Sequence, residues 1–185
     1  RIDDLMSRMT LYEKACQMNQ FVGLEHMKKA EKNLSAEDMK KSDAQGFYKG
    51  VFSQDVEQMV IKGQIGSFLH VVTAEEANYL QELAYKSELK IPLLIGIDAI
   101  HGNALYKGAT VYPSPITIAS TWDETNSYNV GIQTAFEMRA TGSHWAFTPN
   151  IDVMRDARWG RVGETFGEDP YLVTQMGLAM INGLQ

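Results

Sequence analysis

Strands and helices alternate along most of this chain, and that alternation restricts its fold more than any other feature. Three apolar segments are predicted to form buried strands, at residues 65–72, 91–100 and 144–153, and helical segments separate them. Strands that are apolar almost throughout are typical of parallel sheets covered on both faces. Parallel strands joined through helices form either an open doubly wound sheet or a (β/α) barrel. The alternation therefore predicts the α/β class and leaves these two architectures open.

The position of the polar residues favours one of the two architectures. An open nucleotide-binding sheet usually has a G-x-G-x-x-G turn after its first strand, but no glycine closely follows residues 65–72. Polar and charged residues cluster instead after the second and third predicted strands, which is typical of a barrel with its site at the carboxyl ends of the strands. Three units cannot close an eight-stranded barrel, so we predict a partial (β/α)8 TIM-like barrel of about three strand–helix units within something larger, with an open sheet as the alternative.

Capping patterns mark where helices begin. Thr10 followed by Glu13 is typical of a capping box and predicts a helix through about Met18, and Thr73 with Glu76 predicts the start of another helix. The remaining helices are predicted over residues 55–62, 124–140 and 171–184, the first of them capped by Ser53.

The first 62 residues differ from the rest of the chain. They are predicted to form an N-terminal helical region, followed by the first part of the barrel over residues 63–185. The segment 20–52 is rich in lysine, and Ser35 with Asp38 is a further capping pattern for a short helix. We predict that this segment is an insertion that lies on the surface.

Composition argues against several classes of function. A net charge of −6 at pH 7 disfavours binding to nucleic acid or to an anionic membrane surface. Cys16 is the single cysteine, so no internal disulfide can form, and no apolar run approaches the ~20 residues that span a bilayer. No metal-binding motif is present, so neither a metal nor an organic cofactor is predicted. Because the chain begins with Arg1, we expect that an initiating or targeting segment has been removed or left out.

Asp98 is the first candidate functional residue. It lies at the carboxyl end of a predicted buried strand, where a carboxylate is costly unless it is paired or meets a ligand. The residue types leave two roles open, a structural carboxylate that accepts backbone N–H bonds or a ligand-binding group. His101, three residues later, is better explained as a hydrogen-bonded structural histidine than as a metal ligand, because one Asp–His pair does not make a metal site.

A second candidate region is the arginine loop, residues 154–170, which reads MRDARWGRVGETFGEDP. Its arginines alternate with acids, which predicts a network of ion pairs that makes the loop rigid, with Arg155, Asp156, Glu168 and Asp169 as members. Planar guanidinium groups also suit vicinal hydroxyls and carboxylates. Trp159 is either a packing anchor for the loop or a platform for a sugar ring, and we favour the anchor.

Several segments of the chain resemble one known family. These are SRMTLYEKACQM, IDAIHG with GATVYP, ATGSHWAFTPNIDVMRDARWGRVGETFGEDP, and MGLAMINGLQ. In the same order and spacing they are similar to the amino-terminal part of glycoside hydrolase family 3, in its β-glucosidase branch. The resemblance covers nearly the whole chain except the segment 20–52, and it implies a (β/α)-barrel catalytic domain.

The resemblance also implies roles for individual residues. Asp98 corresponds to the carboxylate that binds hydroxyls of the non-reducing sugar, and Arg161 to a second hydroxyl ligand in the same subsite. Arg158 and Glu164 resemble supports that hold Arg161 and the loop, and His101 remains a structural support. The implied activity is that of a retaining β-glucosidase that releases terminal non-reducing β-D-glucosyl residues from small oligosaccharides or glucosides.

The family's two catalytic carboxyls have no counterpart in this chain. We therefore expect an amino-terminal segment that is inactive without the remainder of the same enzyme, and that is periplasmic or secreted, as the family implies. A β-xylosidase or exo-glucanase of the same family is an alternative, and an N-acetylhexosaminidase is a weaker one. A carbohydrate-binding module or fragment without catalysis is a further alternative of a different class.

Overall fold

The computed structural model describes residues 2–33, 37 and 50–185. The chain divides into two compact units, Arg1–Gly96 and Ile97–Gln185. Strands in the described residues form one sheet in the order β1-β2-β3-β4. The predicted α/β class, with parallel strands alternating with helices, is confirmed.

The first unit contains a parallel sheet covered by helices. Phe21, Phe68 and Ile95 are aligned across its three strands in register. Its strands are β1 (Gln20–Val22), β2 (Ser67–Leu69) and β3 (Leu94–Ile97), the last of which ends at the boundary between the units. Its helices among the described residues are α1 (Ile2–Arg8), α2 (Leu11–Cys16), α3 (Leu24–Asn33), α4 (Ser53–Ile61) and α5 (Ala74–Tyr85).

The core of the first unit lies between this sheet and helices α3, α4 and α5. Phe68 and Ile95 have no exposed surface, and Val56 of α4 and Leu80 of α5 are equally buried in the same cluster. Each such side chain contributes about 1.5–3 kcal/mol of burial free energy. The strands are therefore held by apolar contacts with these three helices.

Residues 20–33 are not the surface segment that the sequence predicted. Gln20–Val22 form strand β1, and Phe21, Leu24 and Met27 are buried in the core of the first unit. A strand of three residues is too short to show a hydrophobic period, which is why the sequence pattern missed it. The predicted capping pattern at Ser35 and Asp38 lies outside the described residues.

The capping predictions mostly hold. The Glu13 N–H donates to Thr10 Oγ1 at 3.2 Å and the Thr10 N–H donates to Glu13 Oε2 at 2.7 Å, which confirms the capping box of α2. Helix α4 differs, because its cap residue is Phe52, whose N–H donates to Asp55 Oδ2 at 2.8 Å. Ser53, predicted as the cap, instead donates its hydroxyl to Glu31 Oε2 at 2.9 Å.

The Thr73–Glu76 pattern links two helices. The Glu76 N–H donates to Thr73 Oγ1 at 3.1 Å, which caps α5 as predicted. The Glu76 carboxylate does not return to Thr73 but accepts the Glu25 N–H in the first turn of α3 at 3.1 Å. The Thr73 hydroxyl in turn donates to Glu25 Oε1 at 3.0 Å. Each helix therefore supplies a polar group that stabilises the other's first turn.

The second unit consists mainly of helices packed beside a short strand. Its elements are α6 (Pro115–Ala119), α7 (Glu124–Ala140), β4 (Trp145–Ala146), a 3-10 turn (Val162–Glu164) and α8 (Pro170–Leu184). The predicted strand over 144–153 is thus only two residues long, and helix α6 was not predicted. Beside β4, the Phe147 N–H donates to the Ile97 carbonyl at 3.0 Å.

Helices α7 and α8 pack closely because glycine lies at their contact. A Cβ added at Gly183 would lie 2.3 Å from the Tyr128 carbonyl oxygen, so no larger residue fits there without displacing the helices. The Ser127 hydroxyl also donates across the contact to the Met176 carbonyl at 2.8 Å. No helix among the described residues combines the length and the apolar character needed to cross a bilayer.

Candidate functional site

Asp98 and Arg161 are close enough for their charges to interact. Asp98 follows β3 directly and is half-buried. The pKa of Arg161 is raised, chiefly by its hydrogen bond to Glu164, and the carboxylates of Asp152 and Asp98 contribute further. The structure therefore places the two residues with predicted sugar-binding roles in one electrostatic environment, although 62 residues separate them in the chain.

Glu164 holds the Arg161 guanidinium in place. Arg161 Nε donates to the two Glu164 carboxylate oxygens at 3.0 and 3.1 Å, and Nη2 donates to Oε2 at 2.6 Å. The 3-10 turn creates this spacing, since the Glu164 N–H donates to the Arg161 carbonyl at 3.0 Å. Asn150 Nδ2 donates to the same carboxylate at 2.9 Å. The hydrogen bond from Arg161 holds the pKa of Glu164 below its usual range, so the pair stays ionised.

Arg158 lies elsewhere in the arginine loop. Its Nε and Nη2 contact the Asp156 carboxylate at 2.5–3.1 Å, and its backbone N–H donates to Asp156 Oδ1 at 2.9 Å. Its side chain is 90% exposed, against 60% for that of Arg161. Among the described residues no hydrogen bond joins Arg158 to Arg161, and the bonds that Arg158 makes stabilise its own turn of the loop. Its support of Arg161 stays a prediction.

The predicted ion-pair network is reduced to two separate pairs. Among residues 2–33, 37 and 50–185, the structure gives neither Arg155 nor Glu168 an ion-pair partner. Asp169 has a different role, because its Oδ1 accepts the Leu172 N–H at 2.7 Å and caps α8. The rigidity of the loop must therefore come in part from groups other than ion pairs.

Phe166, rather than Trp159, anchors the arginine loop. Phe166 is 1% exposed and packs in a cluster with Ile118 and Met176. Trp159 is only half-buried and belongs to none of the hydrophobic clusters of the described residues. The prediction of a tryptophan anchor is therefore wrong. The sequence could have suggested Phe166 as the anchor, because it is the one other aromatic residue in the loop.

Hydrogen bonds between the two limbs of the loop add to this anchor. The Met154 N–H donates to the Gly167 carbonyl at 3.0 Å. Thr165, which has no exposed surface, donates its hydroxyl to the Asp152 carbonyl. Together with Phe166, these bonds hold the chain on either side of Arg161 in one arrangement.

The segment after Asp98, residues 98–114, is termed the β3 loop. Its backbone turns sharply at Gly102, where φ is +96° and an added Cβ would lie 2.3 Å from the Thr110 carbonyl oxygen. The His101 carbonyl accepts the Tyr112 N–H at 2.9 Å, which joins the two limbs of the loop. His101 Nδ1 is buried without a hydrogen-bond partner among the described residues, so the predicted hydrogen-bonded side chain is not found at that nitrogen.

In the part of the chain that the structure describes, no metal site accompanies these residues. Within residues 2–33, 37 and 50–185, no group of three or more His, Cys, Asp or Glu side chains is placed to hold an ion. A cavity of about 720 Å³ in the second unit is lined by α7, β4 and α8 and includes neither Asp98 nor Arg161. The site is therefore defined by its charged side chains, which offer a carboxylate acceptor and guanidinium donors to a polar ligand.

Comparison with known proteins identifies the family to which the chain belongs. Residues 10–185 match the model of the glycosyl hydrolase family 3 N terminal domain. A β-xylosidase of Formosa agariphila is 40% identical over 132 residues, covering 68% of this chain and 18% of that protein. A periplasmic β-glucosidase of Salmonella typhimurium is 35% identical over 131 residues, covering 70% of this chain and 16% of that protein.

Solved structures give the same result. The structure of a β-glucosidase from Listeria innocua in complex with glucose matches with a TM-score of 0.76 and 32% identity, over 98% of this chain and 23% of that one. The chain thus spans about a fifth of the length of these relatives. On the family match over residues 10–185 and the shared fold, the chain belongs to glycoside hydrolase family 3.

Proposed function

We propose that this chain forms one wall of the sugar subsite of a retaining β-glucosidase that releases terminal non-reducing β-D-glucosyl residues. The observation that carries the proposal is that the Asp98 carboxylate contributes to the raised pKa of Arg161, so the two charges interact. One residue follows strand β3 and the other lies in the arginine loop, so only the folded chain brings them together.

In this proposal Asp98 accepts hydrogen bonds from two hydroxyls of the sugar. Such bonds are charge-assisted, and they strengthen as the ring distorts toward an oxocarbenium ion. Arg161 donates from Nη1, which has no hydrogen-bond partner among the described residues, while Nε and Nη2 remain bound to Glu164. Glu164 thereby orients the guanidinium without competing for the donor that faces the sugar.

The catalytic carboxyls are proposed to lie in the remainder of the enzyme. A retaining mechanism needs a nucleophile and an acid/base about 5–5.5 Å apart, and we assign neither role to a residue of this chain. The relatives are about four times as long as the chain, which supports this division. On that basis residues 1–185 alone bind sugar weakly or not at all and do not hydrolyse glycosides.

The preferred sugar is glucose, with xylose as the second candidate. Structural relatives named β-glucosidase favour glucose, whereas the 40% identical relative from Formosa agariphila is a β-xylosidase. A periplasmic or secreted location is proposed from the name of the Salmonella typhimurium relative. The alternative of a binding module without catalysis predicts sugar binding with no turnover in the complete protein.

The test is Asp98→Asn in the complete enzyme, with Asp152→Asn as the matched control. Both substitutions remove one negative charge that acts on Arg161, but only Asp98 is proposed to touch the sugar. Because a hydrogen bond to a charged group contributes about 1.5–3 kcal/mol and Asp98 is proposed to accept two, Asp98→Asn is expected to lower kcat/KM on p-nitrophenyl β-glucoside at least 100-fold. Asp152→Asn is expected to remain within about threefold of the wild type.

Equal kinetics for the two variants, with folding intact, would refute the assignment of Asp98. The same assay with p-nitrophenyl β-xyloside measures the choice between glucose and xylose. An intact wild-type enzyme that binds glucose and turns over neither substrate would instead favour the binding module.

A further inference from the structure

The β3 loop is attached to helix α7 at two points. Both oxygens of the Glu137 carboxylate accept from Thr110, Oε2 from the backbone N–H at 3.0 Å and Oε1 from the hydroxyl at 2.7 Å. One helical turn later, Thr141 Oγ1 accepts from Asn103 Nδ2 at 3.0 Å. Glu137 and Thr141 are four residues apart and so lie on one face of the helix.

Hydrogen bonds within helix α7 also orient the Glu137 carboxylate and the Thr141 hydroxyl. Gln133 Nε2, one turn before Glu137, donates to the same carboxylate at 3.1 Å. The Thr141 hydroxyl donates to the Glu137 carbonyl at 2.9 Å, which leaves its lone pairs to accept from Asn103. Burial would raise the pKa of Glu137, but hydrogen bonds from Thr110 and Gln133 hold it below the usual range. The carboxylate is therefore ionised and can accept both Thr110 bonds.

Thr110 connects helix α7 to the backbone that follows Asp98. The Thr110 carbonyl packs against the Gly102 backbone at a separation that leaves no room for a Cβ. Two residues beyond Thr110, the Tyr112 N–H donates to the His101 carbonyl at 2.9 Å. The returning limb of the loop thus braces residues 101–102, which follow Asp98 by three and four positions. Displacement of Thr110 would release this brace.

We infer that Glu137 is a positioning residue, which clamps Thr110 to helix α7 and so fixes the direction of Asp98 toward the sugar. The inference rests on the proposed function, because it assigns the clamp to the sugar-binding role of Asp98. Glu137 itself touches no substrate. Neither Glu137 nor Thr110 was singled out by the sequence, since 27 positions separate them and no local pattern connects them.

The experiment uses the complete enzyme with Glu137→Ala, Glu137→Gln and Gln133→Ala. Glu137→Ala removes both Thr110 bonds. Glu137→Gln keeps an acceptor for the Thr110 N–H and supplies a donor to the Thr110 hydroxyl, so it should retain the clamp. Gln133→Ala is the matched control, because it removes a bond to the same carboxylate without touching the loop.

A misplaced binding group weakens sugar binding, so the readouts are KM, kcat/KM and the Kd of glucose. Small misplacements cost up to about 100-fold in rate, and we expect Glu137→Ala to lower kcat/KM at least tenfold. KM and the glucose Kd should rise together. Glu137→Gln and Gln133→Ala should stay within about threefold of the wild type. A purely structural role for Glu137 would lower the melting temperature and the active fraction while leaving KM and Kd unchanged.

Thr110→Val tests the same clamp from the loop side at an exposed position where folding is not at risk. It removes one of the two bonds and should raise the glucose Kd at least threefold, a partial form of the Glu137→Ala effect. The inference would be overturned if the wild type is active and either Glu137→Ala or Thr110→Val has the same Kd and KM as Gln133→Ala. The proposed function would still stand in that case. A wild type that neither binds glucose nor hydrolyses glucosides would overturn both.

Discussion

The two arginines of the R-W-G-R motif, Arg158 and Arg161, can each be replaced by lysine and the effects on activity compared. Arg158 and Arg161 lie in the same loop, and each holds a carboxylate through Nε and Nη2. They differ in their surroundings, because Arg161 also senses the charges of Asp98 and Asp152. Replacing each by lysine keeps the charge and removes the planar fork. Comparing the two lysine variants therefore tests whether activity needs the planar geometry of the guanidinium and not only its charge.

The expected difference follows from the hydrogen bonds of each fork. Lysine has a single nitrogen, which cannot both bind Glu164 at 2.6 Å, as Nη2 does, and donate to a sugar hydroxyl, as proposed for Nη1. Arg161→Lys must lose one of these contacts or share them poorly, so we expect kcat/KM to fall about 10- to 100-fold. Arg158→Lys loses only part of an exposed pair with Asp156, and exposed pairs contribute little, so its kcat/KM should stay within about threefold.

The assay is steady-state hydrolysis of p-nitrophenyl β-glucoside by the complete enzyme at one fixed ionic strength. Fixed salt matters because both arginines are exposed and their interactions are screened. Circular dichroism and the melting temperature of each variant establish that folding is unchanged. Equal losses in both variants would refute the reasoning, since they would show that the integrity of the loop, and not a contact from Arg161, controls activity.

Two further predictions concern stability. Phe166→Ala should lower the free energy of unfolding by about 3–5 kcal/mol, because Phe166 is 1% exposed in the core of the second unit. Trp159→Ala should cost less than about 1 kcal/mol, and urea denaturation measures both. Burial raises the pKa of Glu76 above the ordinary 4.5, so its contribution to stability is present at acid pH and is lost as pH rises through the folded pKa. Glu76→Gln should therefore gain melting temperature relative to wild type as pH rises above about 4.5.

Each stability prediction has a defined contrary result. If Trp159→Ala costs as much as Phe166→Ala, the tryptophan anchors the loop after all. For the pH dependence, Glu75→Gln is the matched control, because Glu75 is the exposed neighbour of Glu76 on the same helix. The reasoning fails if the difference in melting temperature between Glu76→Gln and wild type does not change with pH. It also fails if Glu75→Gln shows the same difference, since burial of Glu76 would then not govern the pH dependence.

Much of the fold was predictable because its signals are local. The capping box of Thr10 and Glu13 and the cap at Thr73 involve residues three positions apart, whose interaction depends little on the rest of the protein. Strand β1 was missed because three residues cannot show a period. Ser53 was misassigned as a cap, since its hydroxyl is bound by Glu31, 22 positions earlier in the chain.

In the candidate site, too, local features were predictable from the sequence and long-range packing was not. Asp98 was identified because an acid at the end of an apolar strand is unusual within its own segment. The partner of Arg161 is Glu164, three positions away within one turn, and the resemblance had already implied a supporting role for it. The anchoring role of Phe166 was not identified, because the loop sequence alone does not show which aromatic ring reaches the core.

The sequence by itself determined the alternation of strands and helices after residue 53, the caps at Thr10 and Thr73, and the chemical types available at the site. Those properties depend on interactions within a few residues, which short patterns record. Only the tertiary structure decided that Asp98 lies within the field of Arg161, that Phe166 fills the core, and that Glu137 clamps Thr110. These interactions join residues of different elements, and their formation depends on how whole elements pack.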